Sequence, residues 1–189
     1  MKTFLHACKF FIGLDAPYSQ VTEEELSLLL EYSHSANIIV EIGCFEGKTT
    51  ASLARNSKGM VYSIDPFFQG RLGISYGKWI AQVHFRRQHV RNIQLLKGTS
   101  DEVIHSFPHK IDFLFIDADH AYEAIKRDWE NWVPRVNNGG MVALHDCKIA
   151  INSPDYLGSM KFYDEDIPFI KGIEQVATID SLVIFRVKR

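Results

Sequence analysis

Six residues in the middle of the chain, Ile111-Asp-Phe-Leu-Phe-Ile116, are almost wholly apolar, and the polar run Asp117-Ala-Asp119-His120 follows at once. A strand that is apolar on both faces needs cover on both faces, which places it centrally in a parallel sheet flanked by helices. The rest of the chain supplies such a sheet. Asn37 to Ile42 reads as a buried strand ending at Gly43, Met60 to Ile64 as a second ending at Asp65-Pro66, and Ile93 to Leu96 as a third. Helical patterns are expected at Lys48 to Asn56 and Lys78 to Val90, with a short helix opening at Ser100-Asp101. Ala121 to Val133 sets Ala121, Ile125, Trp129 and Trp132 on one face, which reads the tryptophans as core, and Pro134 helps to stop that helix. Gly139-Gly140 introduces a fifth strand, Met141 to Leu144, and a closing pair (Ile173 to Ile179, Leu182 to Val187) turns at Asp180-Ser181. The fold class is therefore α/β: a single doubly wound sheet, mostly parallel, with a terminal antiparallel strand. Ligands of such sheets sit outside the carboxyl ends of the strands.

At 189 residues the chain reads as one compact domain. Residues 1–36 are expected to form an N-terminal helical cap or lid, with Thr22-x-x-Glu25 as a capping box before Leu26, Leu29 and Leu30. Residues 37–189 carry the sheet. The 21 basic and 23 acidic residues leave a net charge of -2, which argues against gripping nucleic acid by bulk charge. The basic stretch His84-Phe-Arg86-Arg87-Gln-His89-Val-Arg91 reads as a solvated helix face. Cys8, Cys44 and Cys147 are far apart and form no C-x-x-C pair, as suits a reducing, cytoplasmic setting. His6 and Lys9 interrupt the apolar start of the chain, so it is not read as an export signal. No apolar run approaches the ~18 residues of a membrane span, and no membrane partner is expected.

The first strand end, Glu41-Ile-Gly43-Cys44-Phe45-Glu46-Gly47-Lys48-Thr49, excludes two phosphate-binding readings. A Walker loop needs one more residue between its glycine and Gly-Lys-Thr, and Glu46 would repel phosphates. A nicotinamide-type turn needs glycine where Phe45 stands. What remains is a tight glycine turn flanked by carboxylates, followed by Asp65 at the offset of an acid that binds a ribose diol. An acid-rich loop suits a nucleoside carrying positive charge and no phosphate.

These residues resemble those of the class I S-adenosylmethionine-dependent methyltransferases, whose Rossmann-like sheet opens with an acid and a G-x-x-x-G or G-x-G turn. The resemblance extends from about Ile38 to Val187. It implies S-adenosylmethionine as cofactor, with Glu41, Gly43, Cys44, Phe45, Glu46, Gly47 and Thr49 around its amino-acid end. Asp65 would hold the ribose hydroxyls, Thr99 and Ser100 would meet adenine, and Asp117 would close the site.

Asp117, Asp119 and His120 follow the fourth strand, and His145 and Asp146 follow the fifth. So many ionisable groups at neighbouring strand ends are hard to explain as core. Converging aspartates suit a hard divalent cation, Mg2+ or Mn2+, which lowers the pKa of a hydroxyl, and a nearby imidazole can take its proton. Here the sequence resembles the metal-dependent sugar O-methyltransferases of natural-product synthesis and the similar cephalosporin-hydroxylase-like branch. That resemblance implies Asp117 and His120 as metal ligand and general base, with Asp117, His120 and His145 as catalytic residues. Asp117, His145 and Asp146 would be the metal site, although His145 stands where the branch has an acid. Aromatic residues at Phe67 to Trp79 and Ala150 to Phe169 are candidates for a ring-bearing small-molecule substrate, lid packing or a homodimer interface. The function expected is O-methylation of a small-molecule hydroxyl. The alternatives are a non-catalytic nucleoside-binding protein and an NAD-dependent oxidoreductase.

Overall fold

A computed structural model describes residues 2–70, 73–148 and 156–189. Two helices, α1 (Lys2–Phe11) and α2 (Glu23–Ser33), precede the sheet. The alternation then runs β1 (Ile38–Ile42), α3 (Lys48–Asn56), β2 (Met60–Asp65), α4 (Tyr76–Arg87), β3 (Ile93–Lys97), α5 (Ser100–Ile104), β4 (Ile111–Ile116), α6 (Tyr122–Trp132), β5 (Val136–Leu144). A further helix, α7 (Gly158–Glu165), leads to β6 (Ile173–Ile179) and β7 (Leu182–Val187). The strand order is β3-β2-β1-β4-β5-β7-β6, with β1 to β5 parallel and β7 antiparallel to both its neighbours. This is the doubly wound sheet the sequence predicts. The insertion of β7 between β5 and β6 is the part that local pattern does not reveal.

The central strand explains the layering. On β4, Leu114 and Ile116 pack with Trp129, Trp132 and Phe162 under α6 and α7, while Phe113 and Phe115 pack with Leu29 and Leu53 under α2 and α3. Successive strand residues point to opposite faces, so one apolar run feeds two cores. Both tryptophans are buried, as their spacing implies. The Thr22 hydroxyl accepts from the Glu25 N–H while Glu25 accepts from the Thr22 N–H, closing the expected capping box. An equivalent box between Thr99 and Glu102 starts α5.

Several boundaries differ from the sequence reading. α4 begins at Tyr76 because the Ser75 hydroxyl caps it, and the chain leaves the helix after Arg87 with His89 at positive φ. β5 runs through Gly139-Gly140 to Val136, since pairing with Ile111 extends the ladder across an irregular register. α7 lies in the 150–169 span otherwise assigned to substrate aromatics. Phe162 is core there and Tyr163 packs beside it, while Ala150 to Asp155 lie outside the described residues. No helix among the described residues is long and apolar enough to cross a membrane.

Candidate active site

The carboxyl ends of β1, β2 and β4 meet the N-terminal segment around a cavity of about 650 Å³. Gly43 makes this possible: its φ is +102°, and a Cβ there would come within 1.9 Å of the Asp117 carbonyl oxygen. The β1 and β4 ends therefore approach more closely than any side chain allows. The loop beyond Gly43 is shaped by Asp65, whose Oδ2 accepts from the N–H groups of Cys44 (3.1 Å) and Phe45 (2.9 Å) and whose Oδ1 accepts from Phe67 N–H (2.6 Å). Asp65 faces the cavity, but three of its roughly four acceptor sites are already used. Holding this turn is thus a large part of its work.

Of the residues assigned to the cofactor, Gly43, Cys44, Phe45, Thr49 and Asp65 line the cavity from one side. Thr99, Ser100 and Asp117 line it from the other strand ends. Three others do not line it. Glu41 is 1% exposed beneath the loop, where its Oε2 accepts from Thr50 and Ser63 hydroxyls. Burial, outweighing those two hydrogen bonds, pushes its carboxyl up to about 8. Glu46 turns away to accept from His6 Nε2 (3.0 Å) and Tyr18 N–H (2.6 Å), because the N-terminal segment brings it donors. Gly47 packs against the Phe85 ring, leaving no room for a side chain.

The fourth and fifth strand ends assemble a charged cluster. Ligand-type atoms of Asp117, His120 and Asp146 all lie within 4.8 Å of one another, with His120 Nδ1 3.2 Å from Asp146 Oδ2. Asp146 holds its position at a positive φ of 54°. His145 is a correction. It is 3% exposed, and its Nε2 lies 3.0 Å from Glu25 Oε2, with Nδ1 3.1 Å from Asp117 and 3.3 Å from Asp146. Burial alone would lower its pKa, but the three surrounding carboxylates raise it far above the ordinary value. The protonated ring has no lone pair to give a metal or a substrate proton. Its Nδ1–H is not well aligned on either aspartate, so that attraction is ionic more than hydrogen-bonded. The fixed cation steadies Asp117 and Asp146 from behind.

Glu25 was legible only as a capping residue. In the fold its Oε1 also accepts from Ser181 N–H (3.0 Å) and hydroxyl (2.7 Å), completing four bonds around a buried carboxylate. Burial raises its pKa, yet His145, Thr22 and Ser181 outweigh that and hold it well below the usual range. Lys48 of the first-strand motif lines the cavity too, as do Tyr18, Ser19, Gln20 and Asp128, which no motif marks. Among the aromatics proposed for substrate, Phe67 and Phe68 reach it, whereas Trp79 borders a separate groove with Phe11.

Residues 40–147, more than half of the chain, match the family described as a methyltransferase domain. The chain belongs to that family. The methyltransferase domain also resembles an uncharacterised protein, R132, of Acanthamoeba polyphaga mimivirus, 30% identical over 134 residues, 68% of this chain and 59% of the relative. The chain thus spans about three-fifths of that protein, and matches 7% of a Sinorhizobium fredii protein at 33% identity over a third of its own length. Among solved structures, the O-methyltransferase TomG of Streptomyces achromogenes in complex with S-adenosylmethionine superposes with a TM-score of 0.72 at 16% identity, covering 100% of this chain and 91% of that one. An O-methyltransferase from Bacillus cereus in complex with S-adenosylhomocysteine gives a TM-score of 0.72 at 18% identity, with the same coverage. At these identities the likeness is one of fold. Family membership sets the nicotinamide alternative aside.

Proposed function

We propose that this methyltransferase domain transfers a methyl group from S-adenosylmethionine to the hydroxyl of a small molecule, with His120 as general base. The observation that carries this is the placing of His120 and Asp117 on the cavity wall, with Asp146 behind His120 Nδ1. The Asp146 carboxylate, 3.2 Å from Nδ1, favours the proton on that nitrogen, which would leave the Nε2 lone pair for the substrate. His120 Nε2 would accept the proton of the substrate hydroxyl, readying that oxygen to take a methyl carbon. S-adenosylmethionine supplies that carbon in electrophilic form, as a methyl on a sulfonium. Gly43, Cys44, Phe45, Thr49 and Asp65 would hold its amino-acid and ribose parts, and Thr99 and Ser100 its base. The N-terminal segment, through Tyr18, Ser19 and Gln20, would cap the bound molecules.

A second, metal-assisted reading rests on charge. Asp117, Asp146 and Glu25 set three carboxylates against one imidazolium, leaving two negative charges that a divalent cation would balance. Asp117, His120 and Asp146 would hold Mg2+ or Mn2+, and the cation would lower the pKa of a hydroxyl bound to it. The three free cysteines fit a reducing compartment, so we place the protein in the cytoplasm.

Thermal unfolding with S-adenosylmethionine, S-adenosylhomocysteine and NAD, each with Mg2+, Mn2+ or EDTA, tests both readings. A ligand at ~100 times its Kd adds about 2.7 kcal/mol, or roughly 5–10 °C at this size. A rise with the adenosyl ligands alone is expected, and no rise with either would sink the methyltransferase reading. A further rise with metal, lost in EDTA, is the metal-assisted outcome. In a methylation assay, His120→Ala should lower kcat by about 10²–10⁴-fold with cofactor affinity little changed.

A further inference from the structure

Helix α1 is apolar on two sides. Ala7 and Phe10 face inward onto Ile80, whereas Phe4, Cys8, Phe11 and Ile12 recur at i, i+4, i+7 and i+8 along the other side. There Phe4 is 53% and Ile12 72% exposed, and Leu5 and Leu14 are exposed as well. A surface helix ordinarily turns a polar side to water. Among the described side chains of α1, only Lys9 is both polar and exposed. Helix α4 adds a second row, Trp79, Val83 and Arg86, which meets Phe11 in the separate groove. Phe4 also packs edge-on against Tyr76, at 6.0 Å, where α4 begins. The charge of this face is of one sign. No acidic residue occurs between Met1 and Asp15 or between Asp65 and Asp101. Lys9, Lys78, Arg86 and Arg91 lie in those stretches, and none of them forms an ion pair among the described residues. Acids outnumber bases in the whole chain, so the cations are segregated here.

We propose that the α1–α4 face docks on an anionic lipid bilayer, with Phe4, Ile12 and Trp79 entering the interface while Lys9 and Arg86 meet headgroup phosphates. This does not depend on the methyl-transfer reading. It needs no spanning helix, because an interfacial helix lies in the plane of the membrane with its apolar side in the acyl boundary. Unpartnered apolar side chains and unpaired cations on one face ask for two things at once, and an anionic bilayer supplies both. A second copy of the same face would supply the apolar surface but set cation against cation. Nucleic acid would match the charge but leave Leu5, Ile12 and Leu14 without an apolar partner. The exposed rings of Phe45 and Phe68 line the cavity, as do Ser75 and Gly77 on either side of Tyr76, so the apolar surface continues to the cavity rim.

The test is co-sedimentation of the full chain with vesicles of phosphatidylcholine alone, and of phosphatidylcholine and phosphatidylglycerol in equal parts, read together with tryptophan emission. Trp129 and Trp132 are buried in the core, so a blue shift on binding reports Trp79 leaving water. The wild type should bind the anionic vesicles with that shift, and the neutral ones at least ~10-fold more weakly. Lys9→Gln combined with Arg86→Gln should weaken binding to the anionic vesicles by roughly 30-fold, since each charge contributes about fivefold. Ile12→Ser combined with Trp79→Ser should lose at least ~10-fold on the same vesicles. All four side chains are exposed, so both variants should melt with the wild type. Failure of the wild type to bind anionic vesicles overturns the proposal. Binding that the Ile12→Ser, Trp79→Ser variant retains in full also overturns it, because it marks a site for charge alone, such as one for nucleic acid. A dimer in sedimentation velocity that this variant abolishes, without vesicle binding by the wild type, would assign the face to a second copy instead.

Discussion

Gly43 and Glu41, two residues apart, show how much a single side chain decides in this site. Gly43→Ala would drive a methyl group into the Asp117 carbonyl oxygen at a backbone angle that L-residues avoid, so it should cost on the order of 3 kcal/mol or more. Urea unfolding measures that loss; a cost below 1 kcal/mol would show that the loop can move aside. Glu41 has its carboxyl raised from 4.5 to about 8 in the folded protein, first by burial and then by the charges of Asp117 and Asp65. A raised acid favours the fold while protonated. Its contribution is fully present below the unfolded value and is lost as pH rises through the folded one. Glu41→Gln, uncharged at every pH and still able to accept from Thr50 and Ser63, should therefore gain stability relative to wild type as pH rises. Melting temperatures of the two proteins on either side of that transition give the answer, and a constant difference would mean that Glu41 is ionised throughout.

At the scale of elements, α1 and the segment after it are tied to the β1–α3 loop by a buried histidine and by the Tyr18 N–H, both on Glu46. His6 is buried, stacks on Tyr18 at 3.8 Å, and places Nδ1 and Nε2 each 3.0 Å from Asp15 and Glu46. Burial lowers its pKa, but the two carboxylates outweigh that and raise it. The contribution of this clamp is present below the ordinary histidine pKa and fades as pH rises through the folded value. Ala7 and Phe10 seat the helix on Ile80, and the Arg87 guanidinium caps the carbonyls of Phe10 and Phe11 at 2.9 Å. His6→Ala should thus free residues 12–20 from the cavity without unfolding the sheet. Limited proteolysis should cut that segment faster in the variant, and faster in wild type as pH rises past the His6 transition. Equal cleavage at all pH values in both proteins would mean that His6 is not the clamp. In the sequence this stretch read only as an apolar start interrupted by His6 and Lys9 within an N-terminal cap, because the helix's anchoring partners lie 40 residues or more away in Glu46, Ile80 and Arg87.

For the whole molecule, the buried Glu25–His145 pair joins α2 to the end of β5 and gives the fold a preferred pH range. Glu25 is depressed, so its contribution is present above its unfolded value of 4.5 and lost as pH falls. His145 is raised, so its contribution is present below 6.5 and lost as pH climbs. The pair therefore contributes most between those two values, and thermal stability should be greatest in mildly acidic solution and decline on the alkaline side. His145→Gln should remove most of the alkaline decline and cost about 3–5 kcal/mol, since it leaves buried carboxylates without their cation. Melting curves across the pH range test both statements; an alkaline limb unchanged in the variant would assign the decline to other groups.

The sequence by itself determined the sheet, its central strand, the strand ends that carry the chemistry and the Thr22–Glu25 capping box. Hydrophobic periodicity and turn residues are local, and each of these features is written within a dozen residues. Tertiary structure alone decided which acids face the cavity. Glu41 and Glu46 read like cofactor ligands from their place in the loop, but one meets hydroxyls beneath it and the other meets His6. His145 read as a ligand or base until Glu25, 120 residues away, supplied the partner that keeps it protonated. Asp128 and the N-terminal strap enter the cavity only because α5, α6 and α1 pack where they do. The role of an ionisable side chain is set by the charges and donors around it, and in this protein those come from distant parts of the chain.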